Sequence, residues 1–230
     1  MKNKSLVYCI LFLAIFMGEK LKAQDWPYLN KYQNENAKLG SPEPGQKRIV
    51  FMGDSITEFW SVNVPDFFSG KPYINRGISG QTTPQMLVRF RADVIALQSA
   101  VVVILAGGND IAGNTGPSTL DMITNNIISM VELAKANQIE VILCSVLPAA
   151  DFPWKPNQNP ADKMITLNKI IKTYADAHAI VYVDYYSAMV NDQKGMQAAY
   201  SGDGVHPNKL GYQVMGPLVE KAIHQVLSKK

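Results

Sequence analysis

Two short stretches of this 230-residue chain carry residue types that can do acyl-transfer chemistry. The first is Gly53-Asp54-Ser55, directly after the apolar run Arg48–Met52. A serine hydroxyl is a weak nucleophile at neutral pH, so it needs a base beside it, a group that orients the base, and donors for the oxyanion that develops. Taken alone, the stretch is better read as a helix N-cap, by Asp54 or Ser55. The second stretch is Asp203-Gly204-Val205-His206-Pro207. An Asp three residues before a His, with Gly204 permitting a sharp turn, can accept a hydrogen bond from imidazole Nδ1–H and leave Nε2 free for Ser55. The pair Asp203 and His206 also has the composition of two metal ligands, but a metal-assisted hydrolase supplies three or more, and neither another His nor a usable Cys accompanies it. No metal or cofactor is expected. The other histidines, His178 and His224, lie near a helix end and in the C-terminal helix, where structural or solvated roles fit them.

Such residues act only if elements from distant parts of the chain bring them together. Arg48–Met52, Pro72–Asn75, Ala100–Leu105, Glu140–Val146 and Ile180–Val183 read as five strands, each predominantly apolar rather than alternating, as strands of a parallel sheet covered on both faces are. Between them, helices are expected after Ser55, over Thr83–Leu97, Ser118–Asn137 and Ala161–His178, and finally over Lys209–Leu227. In Ser118–Asn137, apolar residues recur at three- and four-residue steps (Met122, Ile123, Ile127, Met130, and Leu133 or Ala134) and define one buried stripe. Alternating strands and helices specify an α/β fold: a three-layer α/β/α sandwich, flavodoxin-like, around a central parallel five-stranded sheet. Ligands of such sheets bind beyond the carboxyl ends of the strands. There the chain has Gly53-Asp54-Ser55, Gly77-Ile78-Ser79-Gly80 and Gly107-Gly108-Asn109-Asp110, all polar and rich in glycine.

Residues 1–23 read as a signal peptide: Lys2 and Lys4, an apolar run over Leu6–Met17, then Leu21-Lys22-Ala23 before Gln24. The run is shorter than the roughly twenty residues that cross a bilayer, so no permanent anchor is expected. Removing residues 1–23 takes four of the 22 basic and one of the 19 acidic side chains, leaving 18 of each. A near-neutral protein without a basic stripe gives no case for a nucleic-acid partner. Cys9 falls in the signal and Cys144 in a buried strand, so no disulfide framework is expected. Residues 24–230 are expected to form one domain, exported to the periplasm or medium of a bacterium.

Gly53-Asp54-Ser55, Asn75-Arg76-Gly77-Ile78-Ser79-Gly80, Gly107-Gly108-Asn109-Asp110 and Asp203-Gly204-Val205-His206-Pro207 together resemble the four sequence blocks of the GDSL/SGNH hydrolases, in order, from residue 48 to the C-terminus. That resemblance implies the SGNH hydrolase fold. It also implies Ser55 as nucleophile, Asp203 and His206 as the rest of a triad, and an oxyanion hole formed by the Ser55 and Gly80 amides and the Asn109 side chain. A glycine at position 80 also suits close approach of backbone to a substrate. Asn109, by its own type and neighbours, is better read as a turn residue, and its oxyanion role comes from the resemblance. Ile56 stands where the family has leucine, a change of little volume. The segments Gly77–Thr83 and Val102–Leu105 resemble the branch that contains platelet-activating-factor acetylhydrolases and carbohydrate acetylesterases, which implies small acyl groups, usually acetyl.

The substrate expectation is therefore a glycan-linked O-acetyl ester. Longer acyl chains, as in a lysophospholipase or thioesterase, are the alternative, and a non-catalytic sugar-binding module is an alternative of another class. A flavodoxin-like nucleotide binder would not need Asp203 and His206, and no loop contains a phosphate-cradling G-x-x-x-x-G-K-[ST] pattern. Trp154, in the Pro-rich segment Leu147–Asn157, could stack on a sugar face or pack that loop. Trp60 fits packing better.

Overall fold

A computed structural model describes residues 24–228. The predicted signal segment, residues 1–23, lies outside them. Five parallel strands, β1 (Ile49–Gly53), β2 (Tyr73–Gly77), β3 (Val101–Leu105), β4 (Glu140–Cys144) and β5 (Val181–Val183), form a sheet in the order β2-β1-β3-β4-β5. Val50 lies level with Ile74 on one side and Val102 on the other.

Alternate strand residues feed two separate cores, which explains why the strands are apolar throughout. Val50, Met52, Val102, Ile104, Val141 and Leu143 face one core; Ile49, Phe51, Val101, Val103 and Ile142 face the other. The first core is closed by α3 (Thr83–Phe90), α5 (Leu120–Ala136) and α6 (Ala161–Ala177) through Met86, Ile127 and Leu167. The second is closed by α2 (Ser55–Asn63), α7 (Tyr185–Met189) and α8 (Lys209–Leu227) through Trp60, Tyr185 and Met215. The three-layer α/β/α arrangement follows.

Local chemistry fixes the helix starts. Thr82 and Gln85 form a reciprocal capping box at α3, with Pro84 in its first turn, and Asn208 caps α8 by accepting the Gly211 N–H at 3.1 Å. The helix expected to run to Leu97 changes after Phe90 into a π-helical turn, Arg91–Ile95. The fourth strand stops at Cys144, not Val146, because the Asn168 side chain bonds both the N–H and the C=O of Val146, at 2.7 and 2.9 Å. Three short helices were not read from the sequence: α1 (Gln33–Leu39), α4 (Gly108–Ala112) and α7. Among the described residues no helix is long and apolar enough to cross a membrane.

Candidate active site

Ser55 is the first residue of α2, at the carboxyl end of a central strand. The turn is tight enough to require glycine on both sides of it. A Cβ at Gly53 would sit 2.1 Å from Thr57 Oγ1 and 2.9 Å from the Leu105 carbonyl oxygen. A Cβ at Gly77 would sit 2.1 Å from the Glu58 backbone nitrogen. The start of α2 is thus pressed directly onto the ends of β1 and β2. Asp54 takes the capping role, its Oδ1 accepting the Ile56 N–H at 3.0 Å, which frees the Ser55 hydroxyl. As the first helical residue, Ser55 has an amide without an acceptor inside its helix.

The loop Ser201–Pro207 delivers the other two residues and holds itself in shape. Asp203 Oδ1 accepts the backbone N–H groups of Val205 and His206 at 2.9 and 2.8 Å, and Ser201 Oγ donates to it. Gly204 turns the chain with φ of +80°. Asp203 Oδ2 lies 2.7 Å from His206 Nδ1, and His206 Nε2 lies 2.9 Å from Ser55 Oγ. Partial burial would raise the Asp203 pKa, but the His206 side chain and the two amides outweigh it and hold the carboxyl at about 2. Asp203 is therefore an anion placed to orient the imidazole and to stabilise an imidazolium that forms on it. Ser55, Asp203 and His206, 151 residues apart at their extremes, form one continuous hydrogen-bonded chain. His178 and His224 lie elsewhere, bonded within their own helical segments to Tyr174 and Ser228.

Asn109, in α4, is buried beside this chain. Its Nδ2 donates to the Gln81 carbonyl at 3.1 Å and to Asp54 Oδ2 at 3.3 Å, while its Oδ1 accepts from Asn114 at 2.9 Å. Its side chain spans two loops, which excludes a purely local turn role. Gly80 occupies the third position of the turn Ile78–Gln81, with φ of +76°, where glycine is favoured. Its carbonyl accepts from Asn114 at 3.2 Å. Burial pushes the Asp54 carboxyl up to about 6.

The profile of the GDSL-like lipase/acylhydrolase family matches residues 51–214. The chain belongs to this family. Its esterase and acylhydrolase character is thereby established at the level of the family. Among curated relatives it is similar to Esterase TesA of Pseudomonas aeruginosa, with 29% identity over 74% of this chain and 84% of the relative. It is also similar to an acetylxylan esterase of Xylanibacter ruminicola, with 24% identity over 80% of this chain, although it spans only 45% of that longer relative. A crystal structure of a GDSL-like lipase from Bacteroides thetaiotaomicron superposes with a TM-score of 0.85 and 50% identity, covering 86% of this chain and 98% of that one.

In this GDSL-like chain the serine opens into a pocket of about 20 Å³ lined chiefly by apolar side chains, among them Leu105, Val146, Ala149, Phe152 and Met164. At its mouth the His206 ring lies between two partly exposed aromatics, Phe59 at 5.5 Å and Trp154 at 5.8 Å between centroids. Trp154 is 45% exposed and its Nε1 donates to Asn114 at 3.3 Å, so its loop position combines packing with a free face. Trp60 is buried, stacked between Phe67 and Tyr212, as packing residues are. Among the described residues no group of three or more His, Cys, Asp or Glu is arranged to hold a metal ion.

Several supporting residues were not read from the sequence. Arg89, fully buried, donates to the Gly53 carbonyl at 3.0 Å, to Gln81 Oε1 at 2.6 Å and to Asp93 at 2.9 Å, tying the end of β1 to the loop that carries Gly80. The signal was present: Arg89 and Asp93 sit four apart on the same helical stripe as Met86, Phe90 and Val94. Ser201 and Asn114 had no signal, because their value lies in bonds the fold creates.

Proposed function

We propose that this chain is an exported serine esterase that removes small acyl groups, acetyl foremost, from carbohydrates through an acyl-serine intermediate. The observation that carries this reading is the chain Ser55 Oγ–His206 Nε2 at 2.9 Å and His206 Nδ1–Asp203 Oδ2 at 2.7 Å. In the first half-reaction, Ser55 Oγ attacks the ester carbonyl carbon while His206 Nε2 takes the hydroxyl proton. The C–O bond to the alcohol then breaks, and His206 returns the proton to the departing alkoxide. In the second half-reaction, water attacks the acyl carbon while His206 Nε2 takes its proton, the acyl C–Oγ bond breaks, His206 gives the proton to Ser55 Oγ, and the carboxylic acid leaves. No cofactor enters the cycle.

The oxyanion is assigned to the Ser55 and Gly80 amides and to Asn109 Nδ2. Both amide hydrogens of Asn109 already have acceptors in the free enzyme. Service to an oxyanion therefore requires release of one of them, and the longer 3.3 Å contact with Asp54 is the weaker.

The acyl preference rests on size. A pocket of about 20 Å³ has room on the order of one water-sized group, which suits an acetyl methyl. A longer chain would have to displace close-packed side chains. The exposed Trp154 face beside His206 and the similarity to an acetylxylan esterase both support a carbohydrate as the alcohol. Export rests on the signal-like residues 1–23, and residues 24–230 form one catalytic domain in this reading. The test is a p-nitrophenyl ester series from acetate to octanoate, followed by acetate release from acetylated xylan. The reading expects kcat/KM to fall as the acyl chain lengthens; octanoate cleaved better than acetate would overturn the small-acyl assignment.

A further inference from the structure

The segment 24–32 crosses the outer side of the loop that carries Gly80, and two buried glutamines bind it there. Gln81 Nε2 donates to the Pro27 carbonyl at 2.8 Å and Gln85 Nε2 to the Trp26 carbonyl at 2.7 Å. Tyr32 donates to the Gly77 carbonyl, and Lys31 pairs with Glu58, which itself accepts from the Ser79 amide at 2.6 Å. Asp25 closes the segment into a turn, accepting the Leu29 and Asn30 N–H groups at 2.9 and 3.0 Å. Tyr32 is buried, yet two other large side chains of this well-anchored segment are turned outward: Trp26 is 41% and Tyr28 53% exposed. Tyr28 also holds φ of +56°, a left-handed conformation that costs free energy for a bulky residue and persists only where the surroundings impose it.

Trp26 and Tyr28 share with Trp154 a groove of about 560 Å³, a size usual for ligand sites. Trp154 also lines the pocket at Ser55 and His206, so the two spaces meet at its ring. The remaining groove side chains are amides and hydroxyls, including Gln85, Asn114, Ser79 and Thr115, and none is charged. That chemistry selects a ligand class. A plain acyl chain would cover amides without bonding them, which is unfavourable. A neutral polyhydroxylated ligand satisfies both parts, its C–H faces lying on the aromatic rings and its hydroxyls meeting the amides.

We infer that this groove is a glycosyl-binding subsite, built jointly by the segment 24–32 and the loop of Trp154, that holds sugar residues of the alcohol while the acetyl group occupies the pocket at Ser55. The inference rests on the esterase reading above. Its test compares wild type, Trp26→Ala and Tyr28→Asn on acetylated xylotetraose and on p-nitrophenyl acetate. Asparagine accepts the left-handed backbone at position 28, so Tyr28→Asn removes the ring without unseating the turn. The ratio of kcat/KM on the oligosaccharide to kcat/KM on the small ester should fall about tenfold, through KM. Binding of the same oligosaccharide to the Ser55→Ala protein, read by tryptophan fluorescence, should weaken by a similar factor when Tyr28→Asn is added.

An unchanged ratio overturns the inference, including the case where both activities fall together, because that marks the segment as scaffold. A selective loss on the octanoate ester instead would mark the groove as an acyl-chain site and overturn it equally. If wild type releases acetate from the oligosaccharide and the variants keep the ratio, only the subsite falls. If wild type cleaves the small ester but never the oligosaccharide, the carbohydrate reading falls and the subsite with it.

Discussion

The two halves of the proposed triad are held by different kinds of structure. Ser55 is placed by the whole sheet: Gly53 and Gly77 let α2 pack against two strand ends, and the buried Arg89 guanidinium clamps the Gly53 carbonyl from below. Asp203 and His206 are placed by seven residues of loop, through bonds among Ser201, Asp203, Val205 and His206 themselves. Substitutions at the first region should therefore damage the fold, and substitutions at the second should damage the chemistry. The proposed nucleophile depends on long-range packing, whereas the proposed base carries its own scaffold.

The largest expected effect breaks the first region. Gly53→Ala places a Cβ against Thr57 and the Leu105 carbonyl, and the protein should lose its cooperative thermal transition, as followed by circular dichroism. A normal melt for Gly53→Ala would show that the turn is not as constrained as the comparison holds. Next comes Asp203→Asn. It keeps an Oδ1 acceptor for the two loop amides but presents an NH₂ to His206 Nδ1, so folding should persist while kcat falls on the order of 10⁴-fold through the wrong tautomer. Asn109→Ala should lower kcat by about 10²- to 10³-fold, measured on p-nitrophenyl acetate, with KM little changed; an unaltered kcat would remove Asn109 from the oxyanion site.

Smaller effects sharpen the same contrast. At Gly204 a Cβ meets nothing within 4 Å, and only the backbone conformation, φ of +80°, resists substitution. Gly204→Ala should cost about 1–2 kcal/mol and lower Tm by roughly 2–8 °C, in contrast to Gly53→Ala. The smallest effect is on acid stability. The Asp203 carboxyl lies at about 2 in the folded protein against an ordinary 3.8, so its stabilisation is present above 3.8 and is lost as pH falls through 2. Between pH 4 and 2, wild type should lose more stability than Asp203→Asn in parallel denaturant titrations. With 42% of the Asp203 side chain exposed, solvent screening keeps the difference small. Equal slopes would show that the loop does not depend on this charge.

The same contrast explains what could be read in the sequence. β1, β3 and β4 are apolar because both faces are covered, so their runs stood out, and the motif Asp203–Pro207 is local enough to be legible from five residues. The helix α1 buries nothing, and α4 and α7 are single turns, so none offers a periodic stripe. Gly80 and Asn109 came from family resemblance; their own residue types fit ordinary turns until the fold brings Gln81 and Asp54 to the Asn109 amide. Arg89 could be suspected from its place on a buried stripe, but its partner, the Gly53 carbonyl, is set only by the tertiary fold. Cys144, read as a buried strand residue, is one, and burial pushes its thiol up to about 12.

The central claim is that Ser55 is the nucleophile, and hydrolysis of p-nitrophenyl acetate by the protein beginning at Gln24, beside its Ser55→Ala form of equal thermal stability, tests it most directly. The account predicts turnover by the first and loss of nearly all of it in the second, leaving only what binding and the oxyanion donors supply. Equal turnover by both would contradict it.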